Sequence, residues 1–265
     1  MSFSLKILGT ASALPVSDKN PSAQVLSVHG RLFLIDCGEG TQRSIRSNHL
    51  AFTKIEAIFI SHIHGDHVFG LFGLLSSLKM VNSPRTVKIF GPGALQPILR
   101  FYQSYFDTEG EVNYEFHEVK VKGLETIYES KGLKVSAFPL NHKIECYGYR
   151  FDEVLSEHSL AKRPAASYAY CSDTAPFPEL PEYVRGVSAL YHETTYPMEY
   201  AQKASVYFHS STEDAARCAL KAGVGKLIVG HYSARERDAK VYEAECRRIF
   251  PNSFAPVDGD EIEIE

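Results

Sequence analysis

The stretch His62-Ile-His-Gly-Asp-His67 sets three imidazoles and one carboxylate within six residues. It follows Ala57-Ile-Phe-Ile60, an apolar run of strand length. It precedes Val68–Met80, where apolar residues recur at helical spacing despite Gly70 and Gly73. Imidazole nitrogen and carboxylate oxygen are good ligands for zinc and its divalent neighbours. Side chains two apart on an extended segment point to the same side, so His62 and His64 can grip one ion together. Asp66 and His67 then turn toward a second ion.

Two ions need more ligands than these. Three further polar residues stand at or just beyond the end of a strand-like run. His142 follows Val135-Ser-Ala-Phe-Pro-Leu-Asn141, Asp173 follows Tyr168-Ala-Tyr-Cys-Ser172, and His231 follows Leu227-Ile-Val-Gly230. Each alone reads as a structural residue. Together with the first motif they complete a two-metal set. His62, His64 and His142 hold the first ion, Asp66, His67 and His231 hold the second, and Asp173 bridges them. Two ions about 3.5–4 Å apart hold a hydroxide and clamp a phosphoryl oxygen.

The rest of the chain sets bounds. Of 265 residues, 44% are hydrophobic and 23% charged, enough for a sizeable core. There are 28 basic and 32 acidic residues, a net charge of −4, which disfavours a protein that simply coats nucleic acid. Five scattered cysteines with no CxxC pair argue against a disulfide framework and for a reducing compartment. No signal peptide is expected, since no basic stretch followed by a long apolar one stands near Phe3–Leu8, and no apolar run approaches the roughly 18 residues that cross a bilayer. A cytoplasmic protein with no membrane partner is expected.

Strand-like and helix-like segments alternate, so one α/β domain over residues 1–265 is expected. Thr41 is placed to cap a short helix. Further helices are expected at Ala94–Phe106, Thr212–Ala222 and Glu236–Phe250, and a long strand at Val112–Val121. Ser211 and Asp214 have the spacing of a capping box. His29, His49, His117 and His158 lack any metal-like context, and His192 reads as structural. Arg43, Arg46, Lys54, Arg235 and Arg237 are candidate phosphate contacts, each weighed against a solvated charged face.

His62-x-His-x-Asp-His67 resembles the signature of the metallo-β-lactamase superfamily, whose fold is a four-layer αββα sandwich. Several segments resemble the ribonuclease Z family within it. They are Ile7-Leu-Gly-Thr-Ala-Ser-Ala-Leu-Pro15, Leu34-Ile-Asp-Cys-Gly-Glu-Gly-Thr-Gln42, Gly70-Leu-Phe-Gly-Leu74 and Gly91-Pro92. Asn141-His142 ahead of Cys146-Tyr-Gly-Tyr149, His192-Glu-Thr-Thr195, His209-Ser-Ser-Thr212 and Gly230-His-Tyr-Ser-Ala-Arg235 are similar as well. Thr194, Ser211 and Ser172 depart from the usual pattern. A larger departure lies between Tyr149 and Asp173. The family inserts a long arm there that grips the tRNA elbow, whereas here only Glu157–Ser167 leaves room, so the arm is absent or much reduced.

The resemblance implies cleavage of the 3′ trailer of tRNA precursors by a two-metal activated hydroxide. It implies two Zn2+ per subunit, with Mn2+ or Fe2+ as alternatives, and a homodimer. Asp66 would orient the nucleophile and take its proton. His209 would stabilise the developing charge or protonate the leaving oxygen, just ahead of a helix N-terminus that attracts phosphate. Glu193 would orient His209 or relay its proton. The missing arm keeps open a phosphodiesterase acting on small or cyclic phosphodiesters. A non-catalytic metal-binding module is the third alternative, and the complete ligand set with His209 argues against it.

Overall fold

The computed structural model describes residues 3–14, 16–81, 85–107, 112–155, 164–236 and 238–265. Internal contacts divide the chain into two compact units, Met1–Lys120 with Asp258–Glu261, and Val121–Val257 with Ile262–Glu265.

The first unit is built on a seven-stranded mixed sheet. Its strands are β1 (Phe3–Gly9), β2 (Ala23–Val28), β3 (Arg31–Ile35), β4 (Ile55–Phe59), β5 (Val87–Gly91) and β6 (Tyr114–Glu118), with the C-terminal β14 (Glu261–Glu263) on the edge beside β1. β1, β2 and β3 form an antiparallel meander, and β3 through β6 run parallel. Its helices are α1 (Thr41–Ser47), α2 (Gly65–Val68), α3 (Leu71–Met80) and α4 (Leu95–Phe106). Leu71, Leu74, Leu75 and Leu78 form one stripe along α3 and pack with Leu95 and Leu99 of α4 on Val25, Leu34, Ile58 and Ile89 of the sheet.

The second unit repeats the plan. Its sheet runs in the spatial order β13-β12-β11-β10-β9-β8-β7, from β7 (Glu125–Ser130), β8 (Leu133–Pro139), β9 (Tyr147–Glu153), β10 (Ser167–Cys171), β11 (Ala189–Glu193), β12 (Lys226–Gly230) and β13 (Ser253–Phe254). Antiparallel pairing again gives way to parallel, here at β10. The helices are α5 (Leu180–Tyr183), α6 (Ala201–Val206), α7 (Thr212–Ala222) and α8 (Ala239–Arg247). α7 buries small residues, Ala216, Ala219 and Ala222, against Leu190, Leu227 and Val229. Its N-terminus carries the expected capping box between Ser211 and Asp214.

Several expectations are corrected. The helix over Val68–Met80 is broken into α2 and α3. Gly70 donates its N–H to Cys37 O at 2.9 Å, and a Cβ on it would lie 2.0 Å from Gly38 O. That close approach of two backbones turns the chain between the helices. Thr41 does not cap α1. Gly40 is the cap residue at φ 82°, and the Thr41 hydroxyl donates to Gly38 O instead. The strand expected over Val112–Val121 shrinks to β6, because the Asp107 carboxylate takes the Val112 N–H. β7, α5 and α6 were not anticipated. Of residues 157–167, where the arm is expected to be absent or much reduced, 157–163 lie outside the described residues, His158 among them, and so does Arg237. All five cysteines are buried free thiols, and burial pushes Cys218 and Cys246 up to about 12. Among the described residues no helix is long and apolar enough to cross a membrane.

Replacing Gly70 by alanine forces a Cβ into the Gly38 carbonyl. It should cost about 1–3 kcal/mol, as overpacking does, and lower the Tm by roughly 2–10 °C. An unchanged Tm in a thermal melt would show that the two loops do not depend on this contact.

Candidate metal centre

In parallel sheets, loops leaving the carboxyl ends of the strands are the usual place for ligands. Both units put their chemistry there. In the first unit β3 ends at Ile35 and releases Asp36, and β4 ends at Phe59 and releases the segment through His67. Asp36 is fully buried and sits at φ 56°, a left-handed conformation that costs strain in a residue with a Cβ. Its Oδ1 accepts the Ser61 N–H at 2.7 Å. Its Oδ2 accepts the Ser61 hydroxyl at 2.9 Å and His67 Nδ1 at 2.7 Å. The Ser61 Oγ has then given away its proton and accepts from His62 Nδ1 at 2.9 Å. Both imidazoles thereby donate from Nδ1, which turns Nε2 toward the other ligand-type groups of the turn.

Those Nε2 atoms face other ligand-type groups. His62 Nε2 lies 3.0 Å from His64 Nδ1, and His67 Nε2 lies 3.3 Å from Asp66 Oδ2. Two ligands sharing a tetrahedral ion at about 2.0–2.1 Å would sit roughly 3.3 Å apart. An imidazole nitrogen and a carboxylate oxygen at that spacing in a buried place suit a shared cation. The donor set of this unit therefore fits a divalent metal.

The second unit uses the same device. Glu193, at the end of β11, is completely buried. Its Oε1 accepts from His209 Nδ1 at 2.9 Å, Ser210 N at 2.9 Å and Thr174 N at 3.1 Å. Its Oε2 accepts from Thr195 N at 2.8 Å and the Thr195 hydroxyl at 2.7 Å. The Thr195 Oγ1 in turn accepts from His231 Nδ1 at 2.7 Å. Burial alone would raise the Glu193 carboxyl, but the charge and hydrogen bond of His209 outweigh it and hold Glu193 below the usual range. Each unit thus has a buried carboxylate bonded directly to one imidazole and, through a hydroxyl, to a second.

His142, beyond β8, donates Nδ1 to the carbonyl of Phe208 at 2.9 Å. Phe208 and His231 both adopt positive φ, 60° and 62°. Asp173, beyond β10, turns one oxygen to each neighbour. Oδ1 is 3.3 Å from His231 Nε2, and Oδ2 is 3.9 Å from His142 Nε2. Asp173, His209 and His231 offer ligand atoms within 4.8 Å of one another. Asp173 and His231 are donors that a divalent ion takes, and His209 stands beside them. His209, with 16% of its side chain exposed, is the partly open member.

The structure thus groups His62, His64, Asp66 and His67 in one unit and His142, Asp173, Glu193, His209 and His231 in the other. Asp36, Ser61 and Thr195 were missed as functional residues, since nothing in their local spacing announces partners as far away as Asp36 and His67. His192 is buried, donates Nδ1 to the Glu193 carbonyl at 2.8 Å and is pushed down by burial, a structural role as expected. The His117 ring stacks on Phe90. Arg43 and Arg46 are exposed on α1 and line an open groove of about 580 Å³ with Gln42 and Ser77. Lys54 and Arg235 are exposed.

The chain is 33% identical over 291 residues to a ribonuclease Z of Bacteroides fragilis strain YCH46, covering 95% of this chain and 96% of the relative. It is 34% identical to a ribonuclease Z of Bacteroides thetaiotaomicron, covering 95% and 92%. The chain belongs to the ribonuclease Z family. Residues 3–246 also match the family model described as Anti-Pycsar protein Apyc1, and the chain belongs to that family as well. Among solved structures, the short form of human tRNase Z superposes with a TM-score of 0.84 at 25% identity, covering 99% of both chains. The metallo-β-lactamase fold protein YhfI of Bacillus subtilis gives 0.81 at 17% identity, covering 99% and 100%. The fold of this ribonuclease Z relative is the metallo-β-lactamase fold that its sequence leads one to expect.

Thr195→Val keeps the volume but removes the hydroxyl between Glu193 and His231. It should weaken metal binding about 10- to 100-fold, the usual effect of losing a partner that orients a ligand. A competition titration with a chelator measures this, and unchanged affinity would refute the role of Thr195.

Proposed function

We propose that this chain is a metal-dependent endoribonuclease that removes the 3′ trailer of tRNA precursors, acting as a homodimer in the cytoplasm. The observation that carries the reading is the Glu193–His209 pair. Oriented by a carboxylate and partly open, this imidazole can protonate a leaving oxygen or steady charge on a phosphoryl oxygen. The curated relatives, named ribonuclease Z over nearly their full length, support RNA as the ester.

In this reading His62, His64 and His142 would hold one ion and Asp66, His67 and His231 another, with Asp173 available to both. Zinc is the ion proposed, with manganese or iron(II) as alternatives suited to the same donors. When bound, such ions supply Lewis acidity and a nucleophile at neutral pH. Asp66 orients the attacking water and accepts its proton on a carboxylate oxygen. His209 receives support at Nδ1 from Glu193, which favours the imidazolium form of the ring. The imidazolium steadies charge on the phosphoryl oxygens or delivers a proton to the leaving oxygen. Glu193 keeps the ring in that orientation throughout. With a net charge of −4, RNA binding rests on local cations such as Arg43 and Arg46 and weakens as salt rises.

A second reading, hydrolysis of small or cyclic phosphodiesters, draws on one observation. The alignment to the Bacteroides fragilis relative runs over 291 residues, more than this chain's 265. The relative therefore carries residues without a counterpart here, as a missing RNA-gripping arm would require.

A paired assay separates the readings. Metal-loaded protein is given precursor tRNA and bis(p-nitrophenyl) phosphate side by side. Cleavage of both is expected. Cleavage of the small ester alone favours the second reading, and cleavage of neither ends the enzyme reading. Asp66→Ala should reduce turnover below detection. His209→Ala should slow it about 10²- to 10⁴-fold with metal content unchanged, and loss of metal in that variant would reassign His209 as a ligand.

A further inference from the structure

Phe69 stands two residues beyond His67 and is 71% exposed. Single exposed phenylalanines are common on protein surfaces, but this one is held in place. Its ring lies on Gly65, between His64 and Asp66 in the chain. A Cβ on Gly65 would come within 2.3 Å of Phe69 Cε2 and 2.5 Å of Cζ, so glycine is what admits the ring. The backbone beneath it is fixed on both sides. Phe69 N–H donates to Gly65 O at 2.9 Å, and Gly70, packed on Gly38, donates to Cys37 O at 2.9 Å. A flat apolar face is thereby kept in solvent directly over the turn that carries His64 and Asp66.

We propose that the Phe69 ring is a stacking platform for a nucleobase next to the scissile phosphodiester, so that Phe69 selects nucleic acid over simple phosphate esters. This rests on the phosphodiester reading above. Stacking suits the molecule because every base has a π-face and the contact is sequence-tolerant. It also supplies affinity that a chain of net charge −4 does not draw from broad phosphate contacts.

The chain contains no tryptophan, so Phe69→Trp introduces a single indole reporter on a surface position. The metal-loaded variant is titrated with a short oligoribonucleotide whose phosphorodithioate links resist hydrolysis. Binding is followed in parallel by anisotropy of a label on the RNA. The expected result is quenching of the indole, which fades when one particular base is replaced by an abasic site. Phe69→Ala should bind the intact oligonucleotide roughly 5- to 100-fold more weakly, with Phe69→Tyr restoring affinity. Binding without quenching, equal affinity for Phe69→Ala, or no binding at all would overturn the proposal. So would a blue-shifted emission that depends on protein concentration before RNA is added, which would seat the ring against a second copy of the chain. Cleavage by the unsubstituted protein is scored separately. Quenching without cleavage would end the nuclease reading and leave the stacking platform standing.

Discussion

A carboxylate is rarely placed where water cannot reach it, because desolvating the charge costs several kcal/mol unless hydrogen bonds replace the water. This protein does so twice at the same kind of location. Asp36 receives three hydrogen bonds and Glu193 five. In both, one imidazole is bonded directly, His67 or His209. A second is bonded through a hydroxyl, His62 through Ser61 or His231 through Thr195. The consequence is chemical. Each Nδ1 so engaged donates to an oxygen, and in His62, His67 and His231 it is Nε2 that meets the neighbouring ligand-type groups.

The two sheets explain how the device comes to be built twice. Each passes from antiparallel to parallel pairing, so successive strands release their loops on one edge. Asp36 and the His62–His67 turn leave adjacent parallel strands, and so do Asp173, Glu193 and His231. The loops are not relaxed. Asp36, Phe208 and His231 all hold left-handed backbone angles, strain of the sort that packed surroundings must offset. Phe208 shows its use, since its carbonyl is what fixes His142.

Much of the fold was legible in the sequence, and so was the place of the proposed ligands at the ends of strands. Four ligand-type residues in six, right after an apolar run, can be read locally. His142, Asp173 and His231 could be read because each breaks an apolar strand with a polar residue at its end. What could not be read depends on contacts between distant segments. The proton-fixing roles of Asp36, Ser61 and Thr195 exist only once β3, β4 and β11 are in register. The break at Gly70 reflects the nearness of Gly38, which no helical periodicity encodes. Thr41 shows the limit of local cap rules, since its hydroxyl found a nearer carbonyl and a glycine at positive φ took the cap position.

A metal bound beside these rings would meet the imidazole nitrogens that the buried carboxylates and hydroxyls leave facing it. Anomalous diffraction from crystals of the zinc-loaded protein tests it most directly. The account predicts zinc within about 2.0–2.1 Å of Nε2 of His67 and of His231, with Asp36 and Thr195 still bonded to the opposite nitrogens. Zinc bound through Nδ1 of either ring, or no zinc beside these residues at all, would contradict it.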